Sequence, residues 1–417
     1  MSSTGGSAAL EEKGKEEVMN SSSFSRRRRP GSRRPSHVLL NAEAVVGIHR
    51  NRTTATALNR NGALIEVSFL LKRPPEASIL YVASDDLNPF VPPVILCSAD
   101  DLLLLRVNVG RSDAHLSLKH RHDYYVYRAT PAWPMLDRLE SPPDPVFHRA
   151  DVGLLPHPDG RYTVASLMDI GRDDVYELQL YHSHTETWTT RQVPVEPQQW
   201  NPLPKRIPKY CGSLLRHYTS AVVTIGGEGG TMAWVDLWRS ILLCDVLRPD
   251  PCLRGVPLPL PLTQMSLNGG LGVKLDFAAH SRDISFNRDK GCLVLVHLER
   301  YEFPHPVHAA TRGLGGQDVQ VLDWEVTTWS NSKMSLSLED WHKERSVRAS
   351  NNTIDARMLE GSGLPCRPPR DQAQQQQLEF QNLSMCQPAL FPVKTAWFTW
   401  WPGRSICTPK HGVLLLT

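Results

Sequence analysis

Five groups of residues have the types and spacing that chemistry could use. The run "IGGEGGT" at 225–231 is glycine-rich like a phosphate-cradling loop. Such a loop needs a following Gly-Lys-Ser/Thr and a helix, whereas "MAWVDLW" comes next, so an inter-strand turn is expected instead. His182 with His184, and His120 with His122, stand at a spacing of two, which turns both rings to one side of a strand. Two imidazoles can begin a metal site, but no third ligand of matching spacing follows, and loop histidines are expected. Asp236 and Asp245 lie inside apolar runs, where an ionised carboxylate needs a partner. Backbone amides, Arg239 and Arg254 are the partners expected, with a catalytic carboxylate pair as the alternative. The fifth group is "SRRRRPGSRRP" from Ser25, which concentrates Arg26, Arg27, Arg28, Arg29, Arg33 and Arg34. Guanidinium groups so close together make a strong local positive potential, suited to an import receptor or to nucleic acid. There is no G-x-S-x-G, H-E-x-x-H or dinucleotide fingerprint, so no catalytic, cofactor-binding or metal residue is assigned.

The elements that would position these groups read as β. In "TTATALNRNGALIEVSFLL", Asn61-Gly62 separates two strand-like runs, a hairpin signal because both residues tolerate positive φ. In "VYELQLY", Tyr176, Leu178 and Leu180 share one face and Glu177 and Gln179 the other, the period of a half-buried strand. Helical periodicity is scarce.

The strand patterns recur. "LYHSHTETWTTRQVP" from Leu180 lies without gaps over "LCDVLRPDPCLRGVP" from Leu243, so that Arg191 meets Arg254. "VYRATPAWPMLDRLESP" at Val126 and "VLDWEVTTW" at Val321 repeat an apolar strand end, a polar turn and a tryptophan, which makes Trp188 and Trp329 expected equivalents, buried at their sheet edges. Each copy follows a further strand pattern: "DDLLLLRVNV", "GRYTVASLMDI", "GGTMAWVDLW" and "GCLVLVHLERY". Small antiparallel sheets that cannot bury both faces alone stack around an axis, so four propeller-like blades are expected. The near-continuous apolar character of Met232 to Leu237 and Ile241 to Val246 fits inner strands covered on both sides. No further repeat is visible after Trp341, and an incomplete ring follows from that.

The ends of the chain differ from its middle. Residues 1–36 carry hardly a large apolar side chain and are expected to be a disordered basic arm. The β-propeller-like domain is expected over 37–342, and 343–417 as a largely disordered tail, with "RPPRDQAQQQQ" as low-complexity linker and the tryptophans of "ALFPVKTAWFTWWPG" packed on the main domain. At 417 residues, 41% hydrophobic and 21% charged, with a net charge of +3, the chain has the composition of a globular protein. Eight separated cysteines without a C-x-x-C pair suit a reducing compartment. With no signal-peptide or membrane-spanning pattern, nuclear or cytoplasmic residence is expected, without secretion or membrane contact.

The phrase "GGTMAWVDLWRSILLCDVL…LRGVPLPLP", with "LYVAS…DDLLLLRV…YYVYRA…GLL" upstream and "RDISFNRDKGCLVLVHLE" downstream, resembles the plant domain-of-unknown-function family numbered sixteen-eighteen. The resemblance covers about residues 37–342 and implies an all-β domain akin to kelch-like and F-box-associated propellers. It implies no catalytic residues. The function expected is a non-catalytic protein-interaction module that uses its loop faces, binding protein partners and an import receptor. The alternatives are a hydrolase or glycan-acting enzyme with a site in the central channel, and a nucleic-acid-associated protein acting through the arginine arm.

Overall fold

A computed structural model describes residues 38–41, 43–73, 76–110, 122–130, 133–143, 147–148, 150–172, 175–196, 217–259, 278–304, 319–351, 384–391, 395–401 and 412–416. The chain divides into Met1–His37 and Val38–Thr417.

Among the described residues the second unit is almost entirely β, in six sheets taken in chain order. The first holds β1 (Leu39–Leu40), β2 (Val45–Val46), β3 (Ala55–Leu58), β4 (Leu64–Leu70) and β5 (Ala77–Ala83), in the order β1-β5-β4-β3 with β2 also on β5. The second runs β6 (Val94–Ala99), β7 (Leu102–Asn108), β8 (His122–Arg128) and β9 (Met135–Arg138). The third runs β10 (Val152–Pro156), β11 (Tyr162–Arg172), β12 (Val175–His182) and β13 (Thr187–Pro194). The fourth runs β14 (Ala221–Gly226), β15 (Thr231–Asp236), β16 (Ser240–Asp245) and β17 (Leu253–Pro257). The fifth runs β18 (Arg282–Asn287), β19 (Cys292–Pro304), β20 (Val319–Asn331) and β21 (His342–Arg348). The sixth has β22 (Ser384–Phe391), β23 (Thr395–Trp401) and β24 (Gly412–Leu416). From the second sheet onward each is an antiparallel meander, the topology that short turns between consecutive strands allow.

The four sequence repeats are the second to fifth sheets, and the strand patterns ahead of each copy are their second strands β7, β11, β15 and β19. The gapless overlay is two residues out of register. Leu243 pairs with Arg254, whereas Leu180 pairs with Thr189 and Arg191 with Leu178. An even offset keeps every side chain on its face, which is why the pattern survives it.

The apolar side chains pack between sheets. One cluster joins Ile65 and Leu80 of the first sheet to Leu105 and Tyr125 of the second. Another joins Leu104 and Tyr124 to Val164 and Tyr181. A third joins Leu178 and Leu180 to Trp234 and Leu242, and a fourth Val235 and Leu243 to Ile284 and Leu295. Middle strands are therefore covered on both faces: β15 and β16 are buried almost throughout, and Gln179, expected on an open face, is buried too. The last strands β13 and β21 are open, β21 with the exposed run HKERSVR whose charges blunt a free edge.

First strands touch in succession, β6 on β10, β10 on β14, β14 on β18 and β18 on β22. Packed sheets lie about 10 Å apart, so a straight row would hold β6 and β18 about 30 Å apart. Arg288 Nη1, in the β18–β19 turn, instead lies 2.6 Å from Asp100 Oδ1, in the β6–β7 turn. The row is bent into an arc.

Three expectations are corrected. The repeat does not stop at Trp341: β21 covers His342–Arg348, and three strands of the expected tail form the sixth sheet. Trp188 and Trp329 are not equivalent, the first lying in the last strand β13 and the second in the third strand β20, and both are only partly buried. Trp133 stands in the β8–β9 connection and is largely exposed. The arm of residues 1–36 and the linker at 367–377 lie outside the described residues.

Candidate functional site

Among the described residues, a gathering of titratable side chains lies at one end of the third sheet. The β10–β11 connection contains Asp159-Gly160, a turn pair in which Gly160 takes φ +80°, and His157 N bonds to Arg161 O at 2.9 Å across it. Asp159 also accepts from Arg161 N (3.0 Å) and Nε (2.6 Å), bonds that hold its carboxyl down at about 2. The β12–β13 turn comes back beside it, with Glu186 at φ +56° and its N–H on His182 O at 2.9 Å. Between the turns lies Thr163, fully buried, because the β11–β12 register sets it opposite His182. Its Oγ1 is 2.9 Å from His157 Nε2 and 3.1 Å from His182 Nδ1. The ring of His184 lies 5.7 Å from that of His182, centroid to centroid. Burial lowers the affinity of His157 and His182 for a proton, and for His182 the neighbouring His184 and His157 lower it further.

Sequence reasoning paired His182 with His184 and missed His157, whose link is made by strand register. Among the described residues no group of three His, Cys, Asp or Glu is placed to hold a metal ion. His120 lies outside the described residues. His122 is buried across from Asn108, and burial, then Arg106 and Arg60, lower it to about 4.

The carboxylates inside the apolar hairpin are tied down as expected. Asp236 accepts from Tyr218 N and Trp238 N, each at 3.1 Å, and has Arg239 Nε at 3.6 Å; its burial still raises its proton affinity. Asp245 accepts from Thr231 Oγ1 at 2.6 Å and lies 3.2 Å from Arg248 and 4.0 Å from Arg254. The glycine run 225–231 is the β14–β15 turn. There Gly226, Gly227 and Gly230 take positive φ, and a Cβ on Gly230 would fall within 2.8 Å of Leu247 and Leu155.

Two further polar knots had no sequence signal beyond single residues. Between the first and second sheets, Arg60 meets the buried Asp123 through its backbone N–H (2.9 Å) and its guanidinium, and Tyr125 donates to the same carboxylate at 3.2 Å. Between the fourth and fifth, Arg282 donates to His297 Nδ1 (3.2 Å), Leu237 O (3.0 Å) and Pro259 O (2.7 Å), with its guanidinium 4.9 Å from the Trp238 ring. Burial, followed by Arg282, keeps His297 neutral. These knots join sheet to sheet. Arg26, Arg27, Arg28, Arg29, Arg33 and Arg34 lie outside the described residues.

Known proteins add the following. No curated protein matches the chain. A solved glycosyl hydrolase from Bacteroides ovatus is similar at 12% identity over 80% of this chain and 84% of that one, with a TM-score of 0.25. A likeness of that size says nothing of activity. The model of a family described as a protein of unknown function, DUF1618, matches residues 234–397. Over that stretch, from β15 in the fourth sheet to β23 in the sixth, the chain is similar to the DUF1618 family of proteins of unknown function.

Proposed function

We propose that this chain is a non-catalytic protein-recognition module whose partner-facing surface is built from the connections at the sheet ends. The observation behind this reading is the exposure of large aromatic side chains on those connections. Trp133 is 82% exposed between β8 and β9, Phe90 78% between β5 and β6, and Tyr218 64% just before β14. Aromatic residues that a fold does not use for its own core are the usual anchors of protein interfaces. The buried carboxylates Asp123 and Asp236, by contrast, bond to backbone amides and have arginine partners, and His297 accepts from Arg282. The bent row of first strands supports a ring-like, propeller arrangement of the six sheets, the scaffold on which such connections gather at two faces. The arginine arm, by its charge, is read as the contact for an import receptor and so for nuclear residence.

The test is proximity labelling in cells with the intact chain, side by side with Trp133→Ser and Phe90→Ser. The module reading expects each variant to melt like the wild type and to lose a distinct set of labelled neighbours. Identical neighbour sets for all three proteins would overturn it.

A further inference from the structure

We infer that His157, Thr163 and His182 form a proton-sensing relay that ties the β10–β11 turn to the β12–β13 turn at neutral pH and releases both turns in acid. The geometry is a single buried hydroxyl shared by two imidazole nitrogens at 2.9 and 3.1 Å. A hydroxyl has one proton to donate and accepts up to two. With both rings neutral, one ring N–H donates to Oγ1 and the hydroxyl donates to the other ring. A first added proton is accommodated, since the protonated ring donates to Oγ1 and the hydroxyl still donates to its neighbour. A second proton breaks the arrangement. Both rings then donate to the same oxygen, and the hydroxyl proton of a fully buried threonine loses its acceptor. Two positive rings also face each other across Thr163, an arrangement the interior does not tolerate.

The surrounding charges set the direction. Asp159 and Arg161 lie on the same turn as His157, and Asp159 is already engaged by Arg161. His184 adds a third imidazole next to His182, and Arg191 of β13 repels a proton there. From the second sheet, Arg128 reaches the β10–β11 turn through Gly160 O at 3.4 Å. Asp159 and Glu186 are the acids carried by the two turns, set against Arg161, Arg191, Arg128 and three imidazoles, so protonation of both rings is opposed until the medium is acidic, and the turns are then driven apart. The turns share this contact with a second link, Ser183 N on Tyr162 O at 3.0 Å and Tyr162 N on Ser183 Oγ at 2.9 Å, and their remaining backbone bonds are local: Gly160 N on His157 O, and Thr185 N and Glu186 N on His182 O.

Native-state amide exchange of the full chain, corrected for the intrinsic pH dependence of exchange, tests the relay at about pH 7.5 and about pH 5. In the wild type the amides of Gly160, Arg161, Thr185 and Glu186 are expected to lose protection by about tenfold or more in acid, while amides of β15 keep theirs. Thr163→Val removes the shared hydroxyl at constant shape, and these amides should then exchange fast at both pH values. Thr163→Ser should restore the wild-type pattern. His157→Gln still bonds the hydroxyl but cannot take a proton, so its turns should stay protected at both pH values, which covers the case of a Thr163→Val protein that does not fold. Equal corrected protection of wild-type turns at both pH values overturns the relay. So does a His157→Gln protein whose turns open in acid like the wild type.

Discussion

Trp188 and Trp341 stand in the same relation to their sheets. Each begins the last strand of a sheet, Trp188 as the second residue of β13 and Trp341 directly before β21. Each sends its indole N–H to a backbone carbonyl at or just past the end of the preceding sheet's last strand, Trp188 to Glu140 O at 2.9 Å and Trp341 to Pro257 O at 2.7 Å. The tryptophan that repeats is therefore a rivet between neighbouring sheets. Replacing either by Phe keeps most of the ring and deletes the donor, so each change should cost about 1–2 kcal/mol in urea unfolding. Trp329→Phe, which removes no hydrogen bond among the described residues, should cost less; equal losses at all three positions would contradict the equivalence.

Sheets three and four approach so closely that one position tolerates no side chain. A Cβ on Gly153 of β10 would lie 2.5 Å from Met232 Cε and 2.7 Å from Val222 Cγ1. Met232 can swing aside, but Val222 is β-branched and stiff. Gly153→Ala should destabilise by about 1–3 kcal/mol. Val222→Ala in the same chain should recover part of that loss, and denaturant midpoints of the two single variants and the double variant decide it.

These contacts mark what was legible in the sequence. Strand alternation and Asn-Gly or Gly-rich turns are local signals, so β3–β4, β11–β13 and β15–β17 could be read directly. The equivalence of Trp188 with Trp341 depends on which carbonyl lies across a sheet boundary, which a pattern within one strand does not contain. The sixth sheet was hidden for a different reason. Pro388 interrupts β22 at a register shift after Cys386, Pro392 sits in the connection to β23, and a glutamine-rich segment separates the sheet from the rest. Proline and low complexity both read as the absence of strand. At the candidate site, His182 and His184 were visible by spacing, whereas His157 joins them only through the pairing of Thr163 with His182.

Asp283 of β18 gives a pH prediction of definite sign. Its carboxylate accepts Leu390 N of β22 at 2.7 Å, yet burial raises it from 3.8 to about 6. A folded state that binds the proton more tightly than the unfolded chain loses stability as pH rises from about 4 to about 6, and the loss persists above that. Asp283→Asn keeps an acceptor for the Leu390 amide and removes the charge. It should raise stability by about 1–3 kcal/mol above pH 7 and change little near pH 4. Thermal melts of both proteins at the two pH values check this, and a variant less stable at neutral pH would show that the carboxylate charge is needed at the joint of the fifth and sixth sheets.

The knot of Arg60 and Asp123 joins the first sheet to the second and should behave as a coupled pair. Asp123 is buried and takes bonds from Arg60 N at 2.9 Å, from the Arg60 guanidinium and from Tyr125 OH at 3.2 Å. Asp123→Leu leaves a guanidinium and a phenol facing an apolar side chain, a change that should cost about 3–5 kcal/mol. Arg60→Met leaves a buried carboxylate with only a backbone amide and the phenol, and should cost nearly as much. In the double variant neither charge remains to be compensated, so its loss should fall well short of the sum, with a coupling of about 1–3 kcal/mol. Because β3 and β4 hang on this knot through the turn that carries Arg60, the single variants should also loosen the first sheet ahead of the others. Faster amide exchange at Ile65 and Val67 than at Trp234 would show it; strictly additive losses with uniform exchange would mean that apolar packing alone joins the two sheets.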